Sequence, residues 1–408
     1  NQFSGTIPSE LGNLANLNYL NLASNQLTGT IPTSLGNLDQ LGLLDVHDNQ
    51  LTGSIPTQLG SLSALTSLQL WQNQLSGNIP TQLGNLSMLQ DMNLSENLLT
   101  GPIPIEFGNL GVLTFLQVYT NQLTGTIPVE LFDATSIVFL RLSDNQLTGP
   151  IPPSVENLTG LFLLDLNTNQ LTGSIPTELG NNTLLRFLNL YENQLSGPIP
   201  PELATLTEME TFDVFTNQLT GSLPKELEQW VKIKHFEVGN NQISGTLPKE
   251  YGTWPDIEVF QADYNNFTGA VPVEYTNWTK IIKLFLSHDQ LDALPTFTNP
   301  TITEFAVSDN LLEFGDLESN ISVVGYTYDP QADLPGGSFN LNAGTPLTIP
   351  FTTSGSANQY QWFKTGVLIP GATSATFSIA STSVADAGNY TVAVTSTIVT
   401  GLTINSLP

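Results

Sequence analysis

LNYLNLASNQLTGTIP, residues 17–32, decides the fold. Side chains alternate along a strand, so Leu20 and Leu22 share one face and Asn21 takes the other. The remainder, N-Q-x-[ST]-G-x-[IL]-P, returns every 24 residues from Asn1 and Asn25 to Asn265, twelve copies in constant register. Departures are small: Leu98 and Asn266 replace Gln, and Val271 takes the aliphatic position. A fixed period of this length marks a solenoid, because one repeat cannot bury its own apolar face and neighbours must stack on it. Each repeat is expected to give one short parallel strand, about 4.8 Å from the next. Gly5 through Gly269 mark places where a side chain would not fit or φ would be strained. Each Ile-Pro step fixes φ and sends the chain along the convex side.

L-x-x-L-x-L-x-x-N, as in Leu17, Leu20, Leu22 and Asn25, is the leucine-rich repeat pattern, and L-[ST]-G-x-I-P resembles its plant-type subclass. That subclass is known from plant receptor-kinase ectodomains and polygalacturonase inhibitors. The resemblance covers roughly residues 1–290. It implies a curved solenoid with a parallel concave sheet, and an inward asparagine ladder that satisfies buried loop backbone. Plant ectodomains carry cysteine-paired caps, and this chain has no Cys. The resemblance therefore points to a bacterial surface homologue.

The register decays near residue 280, where Asp289 takes the Asn column. A looser repeat follows through Ile302, Phe305, Val307, Asn310 and Leu312, and residues 321–331 read as a closing strand. The expected division is a solenoid over 1–330, a linker over 331–337 and a second module over 338–408. Beyond residue 338 the period vanishes and alternating β-rich stretches appear. Trp362, and Tyr390 after Asp386-Ala387-Gly388-Asn389, resemble an immunoglobulin-like sandwich, with Val392 where a disulfide half often stands. The fold class is thus a β-rich α/β solenoid followed by a cysteine-free immunoglobulin-like β-sandwich. The chain begins in mid-motif and reads as a piece of a longer protein.

Composition narrows the function. Among 408 residues, 9 Lys+Arg stand against 36 Asp+Glu, a net charge of −27. That excludes an electrostatic grip on nucleic acid and argues against anionic membrane surfaces. The missing Cys removes thiol catalysis and thiolate metal sites. No apolar run approaches the ~18 residues that span a bilayer. His47 between Asp45 and Asp48 reads as a solvated surface cluster, as do His235 with Glu237 and His288 beside Asp289. No nucleophile, base and oxyanion site assembles. The reading is non-enzymatic, with no cofactor and no metal. Trp230, Trp254 and Trp278 fall in the core column of Leu14, Leu38 and Leu62. Six lysines crowd into residues 225–283 and read as a solvated face. Eight N-x-[ST] sequons, Asn93 among them, read mostly as coincidence.

The concave columns carry the functional signal. Phe115, Phe139, Leu163 and Phe187 are consecutive at an outward position, with Tyr119, Tyr191 and Phe215 beside them. Arg141, Asp165 and Asp213 line the middle column, and Trp71 adds an earlier aromatic. A contiguous aromatic run rimmed by polar groups marks a binding surface. The expected role is an extracellular or cell-surface recognition or adhesion protein that binds a protein or peptide there. A glycan ligand, an ice-binding hydroxyl ladder and a self-assembling surface filament stay open as alternatives.

Overall fold

The computed structural model describes residues 2–408; Asn1, first of the asparagine column, lies outside them. Two compact units divide the chain: the residues up to Thr220 with Glu226–His235, and Gly221–Lys225 with Phe236–Pro408. Among the described residues, no helix is long and apolar enough to cross a membrane.

In the first unit the strand Phe115–Gln117 typifies the repeat. Leu116 points inward and is fully buried, while Phe115 and Gln117 face outward. The strand pairs in parallel with Asp91–Asn93 on one side and Phe139–Arg141 on the other. Equivalent three-residue strands run from Tyr19–Asn21 to Thr211–Asp213. After each strand one residue turns left-handed, as at Gln72 (φ 55°) and Thr120 (φ 50°), although none of these is glycine. The turn carries the next residue, the periodic Asn, under the strand.

There the asparagine saturates its amide. Asn97 Nδ2 donates to the carbonyls of Leu70, Leu94 and Ser95 at 3.0–3.2 Å, and its Oδ1 accepts from Leu75 N–H at 3.0 Å. The ladder implied by the resemblance is present, and each rung also binds backbone of the preceding repeat.

One strand per repeat is an incomplete expectation. The Gln-Leu-Thr-Gly segments form a second parallel sheet of eight strands, Ser4–Thr6 through Gln170–Leu171. Its buried anchors are residues such as Leu27 and Leu123. Each motif glycine sits at a φ between +74° and +91°, which an L side chain resists. Ile-Pro then leads into a five-residue 3-10 turn such as Val129–Asp133. A second glycine column lets these turns stack: a Cβ on Gly36 would stand 2.4 Å from the Gln58 carbonyl oxygen.

In the second unit Val259–Gln261, Lys283–Phe285, Glu304–Ala306 and Tyr326–Thr327 continue parallel pairing, so the closing strand is only two residues long. The tryptophan column is core, as expected. Trp254 and Trp278 are at most 1% exposed, and Trp278 Nε1 also donates to the Tyr251 carbonyl at 2.9 Å. The ladder runs on through Asp289 and Asn310 to Gln331, whose Oε1 accepts from Leu312 N–H at 3.2 Å and whose Nε2 donates to Val307 O at 2.9 Å. The last rung is therefore the first residue of the segment read as a linker.

Pairing then turns antiparallel. Leu347–Pro350 pairs with Thr376–Ile379. Val367–Leu368, Asn358–Lys364, Tyr390–Ser396 and Thr403–Asn405 form a four-stranded sheet in that order. Trp362 and Val392 are buried there, and the Tyr390 hydroxyl donates to Asp386 O at 2.8 Å.

Candidate functional site

The outward column of the first unit gathers rings because the leucines between them must point inward. Leu116, Leu140, Leu164 and Leu188 are at most 1% exposed. Parallel register then sets Phe115 beside Phe139, Phe139 beside Leu163 and Leu163 beside Phe187. Phe115 and Phe139 stack with centroids 4.8 Å apart, and Phe115 remains 37% exposed.

Phe162 escaped the sequence reading, because it lies one residue before the outward column of Phe115, Phe139, Leu163 and Phe187. Its ring replaces the one Leu163 lacks, 5.3 Å from Phe139 and 5.4 Å from Phe187. The aromatic run is thereby continuous over four repeats. The signal was available: Thr114, Val138, Phe162 and Arg186 form their own column at a step of 24. Arg186 lies over the Phe162 ring at 5.3 Å and bridges Glu208 and Glu210 at 3.3 and 3.1 Å. Lys232 and Lys234 complete this network at 2.6 and 2.7 Å. A hydrogen bond from Lys232 is the main cause holding the Glu208 carboxyl below its usual range, and Lys234 does the same for Glu210. These lysines are ion-paired on a face that stays solvent-exposed.

On the other flank, the Arg141 guanidinium sits 4.5 Å above the Tyr119 ring and its Nε meets Asp165 Oδ2 at 3.3 Å. Asp165 differs from expectation. It is 3% exposed and also accepts from the Ser143 hydroxyl and the Asn167 amide, so it orients Arg141 from beneath. Burial first, then the charges of Asp165, Asp144, Asp213 and Glu192, push the Tyr191 hydroxyl above its usual pKa. Asp144 is also raised, by burial and then by Asp165 and Glu192, with Arg141 opposing. Asp213 Oδ1 accepts from Phe215 N–H at 3.0 Å, which fixes the turn that presents the Phe215 ring.

Trp71 does not join this group. It lies two strands before Tyr119, about 10 Å away along the sheet, and stacks on His47 with centroids 4.1 Å apart. His47 is not a solvated residue: its Nδ1 lies 2.6 Å from Asp45 Oδ1, and the buried Asp45 also accepts from Asn21 at 2.9 Å. In the second unit His288 stacks on Tyr264 and pairs with Asp309 at 3.4 Å, not with its neighbour Asp289. Asn93 is buried, and its Oδ1 accepts from the Ser95 hydroxyl at 2.6 Å. A cavity of about 820 Å³ in the C-terminal β region has Trp362, Leu347, Phe351 and Tyr390 in its lining. Its one acid, Asp386, is engaged by Ser383.

A Leucine Rich Repeat model matches residues 16–38, 40–62, 64–86, 88–110, 136–158, 160–182 and 184–206. No curated protein matches the sequence. Among solved structures, the Arabidopsis receptor kinase HAESA ectodomain, in complex with an IDA peptide hormone ligand, is 31% identical over 82% of this chain and 57% of that one, with TM-score 0.75. A plant ice-binding protein is 32% identical over 57% of this chain and 74% of its own, with TM-score 0.53. A leucine-rich repeat protein of Leptospira interrogans is 27% identical over 77% and 89%, with TM-score 0.58. The chain spans 46–65% of the length of the plant receptor ectodomains it matches.

Proposed function

The chain belongs to the leucine-rich repeat proteins, and from that premise we propose that it is a non-enzymatic recognition protein of the cell surface or extracellular space, binding a protein or peptide on the concave sheet. The observation that carries this reading is the half-exposed ring run Phe115–Phe139–Phe162–Phe187, flanked by Arg141 on Tyr119. Its likeness to receptors solved with peptide ligands supports it. Residues 338–408 form an immunoglobulin-like spacer in this reading, supported by the buried Trp362 and the Tyr390–Asp386 bond. The absent cysteines and the Leptospira relative favour a bacterial surface protein.

Changing Phe139→Ser and Phe187→Ser together tests the site. The rings shield one another, so the pair costs stability, about 1–3 kcal/mol for two half-buried aromatic contacts. The folded variant is expected to lose binding to the ligand by about tenfold or more. Unchanged binding by a folded variant places the site elsewhere. The ice-binding reading is favoured by the plant relative and by the Thr ladder. Against it, the hydroxyls of Thr28, Thr52 and Thr148 donate to glycine carbonyls of the preceding repeat at 3.2–3.3 Å, which leaves them no free proton for ice. Thermal hysteresis in solution decides that reading.

A further inference from the structure

The chemistry of the ligand follows from what borders the rings, and it rests on the concave-face reading above. Across the strands Asp91–Asn93 to Thr211–Asp213, the ring run has an acidic neighbour. Asp91, Glu96, Asp144, Asp165, Glu192 and Asp213, six acids, stand against one cation, Arg141, on the strands and the left-handed turns that follow them. Arg141 is already committed to Asp165 and Tyr119. Asp144 and Glu192 are exposed, and each lies on the left-handed turn (φ 52°) that follows its strand, at the end away from the Phe139 and Phe187 positions. Glu192 also accepts from the Thr168 hydroxyl at 3.1 Å, a neutral donor that leaves its charge in place. The opposite border, around Arg186, is closed by its own ion pairs.

We propose that the concave face takes a cationic extended peptide, one side of which lays aromatic or aliphatic side chains on the Phe115–Phe139–Phe162–Phe187 run while the other reaches Asp144 and Glu192 with Lys, Arg or an N-terminal amine. Three inter-strand steps make the run about 15 Å long, which an extended chain covers in four to five residues. A neutral sugar would gain nothing from the charge of Asp144 and Glu192, and an acidic glycan would be repelled by it. Separate apolar and charged tracks match a chain whose side chains alternate between two sides.

A displayed library of random dodecapeptides panned against the full chain tests this. The enriched pool is expected to combine net positive charge with two or more aromatic residues. Binding of its members is expected to weaken about tenfold with Phe139→Ser/Phe187→Ser and severalfold with Asp144→Asn/Glu192→Gln, and to fall as salt rises. Phe139→Leu/Phe187→Leu serves if the serine pair does not fold. Neutral or anionic aromatic peptides that depend on the rings overturn the cationic inference and leave the concave-face reading standing. Lys-rich peptides without aromatics, indifferent to the ring variants, show only attraction to a chain of net charge −27 and overturn the inference. Aromatic peptides of any charge that ignore both variants, or no enrichment at all, overturn the inference and the reading together.

Discussion

Asp289 stands where neighbouring rungs of the ladder are amides. Its Oδ1 accepts from Phe267 N–H at 2.8 Å, as an asparagine would, but its buried Oδ2 has no partner. In the preceding repeat, Asn265 uses its amide nitrogen to serve the carbonyls of Val238, Ala262 and Asp263. A carboxylate can only repel such oxygens, whereas a carboxylic acid can donate to one of them. Burial, opposed by the Phe267 hydrogen bond and reinforced by Asp263, raises the Asp289 pKa to about 8. The folded chain then holds a proton that the unfolded chain releases near the ordinary value of 3.8. Stability from this residue is complete below that value and falls as pH rises towards about 8. Asp289→Asn is expected to be more stable than the parent, with an advantage that widens between about pH 5 and pH 9. Denaturant midpoints at the two pH values check it, and a constant difference would show that Asp289 does not titrate on folding.

Within a single repeat, the element hardest to foresee is the left-handed turn between strand and ladder. Ser24, Gln72, Glu96, Thr120 and Tyr264 share no side-chain chemistry, so no column signal betrays a φ of 50–55°. The periodic leucines, asparagines and glycines were legible because each answers a local demand: burial, a saturated amide, a positive φ. The second sheet was hidden because Gln-Leu-Thr-Gly is too short to alternate visibly. Phe162 was hidden because it precedes the strand whose alternation made its neighbours readable, and the burial of Asp165 depended on Arg141, Ser143 and Asn167 closing over it. The turn also has a measurable cost. A left-handed conformation disfavours an L-residue by about 1–2 kcal/mol, most severely when β-branched. Gln72→Gly is therefore expected to be neutral or slightly stabilising, while Gln72→Val is expected to destabilise by about 1–2 kcal/mol. Equal melting of the two variants would mean that the turn is held by something other than its own backbone preference.

At the scale of the whole chain, the C-terminal β region is tied to the end of the repeat array within the second unit. Glu313 and Glu318 accept from the backbone N–H groups of Ser354 and Ser356, the Ser354 hydroxyl accepts from Gly315 N–H at 3.1 Å, and Tyr328 donates to Thr400 O at 2.8 Å. Gly355 allows the approach, since a Cβ there would lie 2.7 Å from Phe314 Cβ. Proteolytic cutting within residues 331–337 is thus expected to leave residues 338–408 folded but still associated. Glu313→Ala/Glu318→Ala is expected to let the fragment elute separately on size exclusion; release of the unmutated fragment would show that the tie is weak. The ladder, for its part, imposes a direction in time. Leu75 N–H depends on Asn97, 22 residues further along, so each repeat is completed by the one made after it. Translation at roughly 5–20 residues per second would delay that completion by about 1–4 s. A growing chain therefore always carries one unfinished turn at its leading end, and only Gln331, reaching back to Leu312 and Val307, retires the debt.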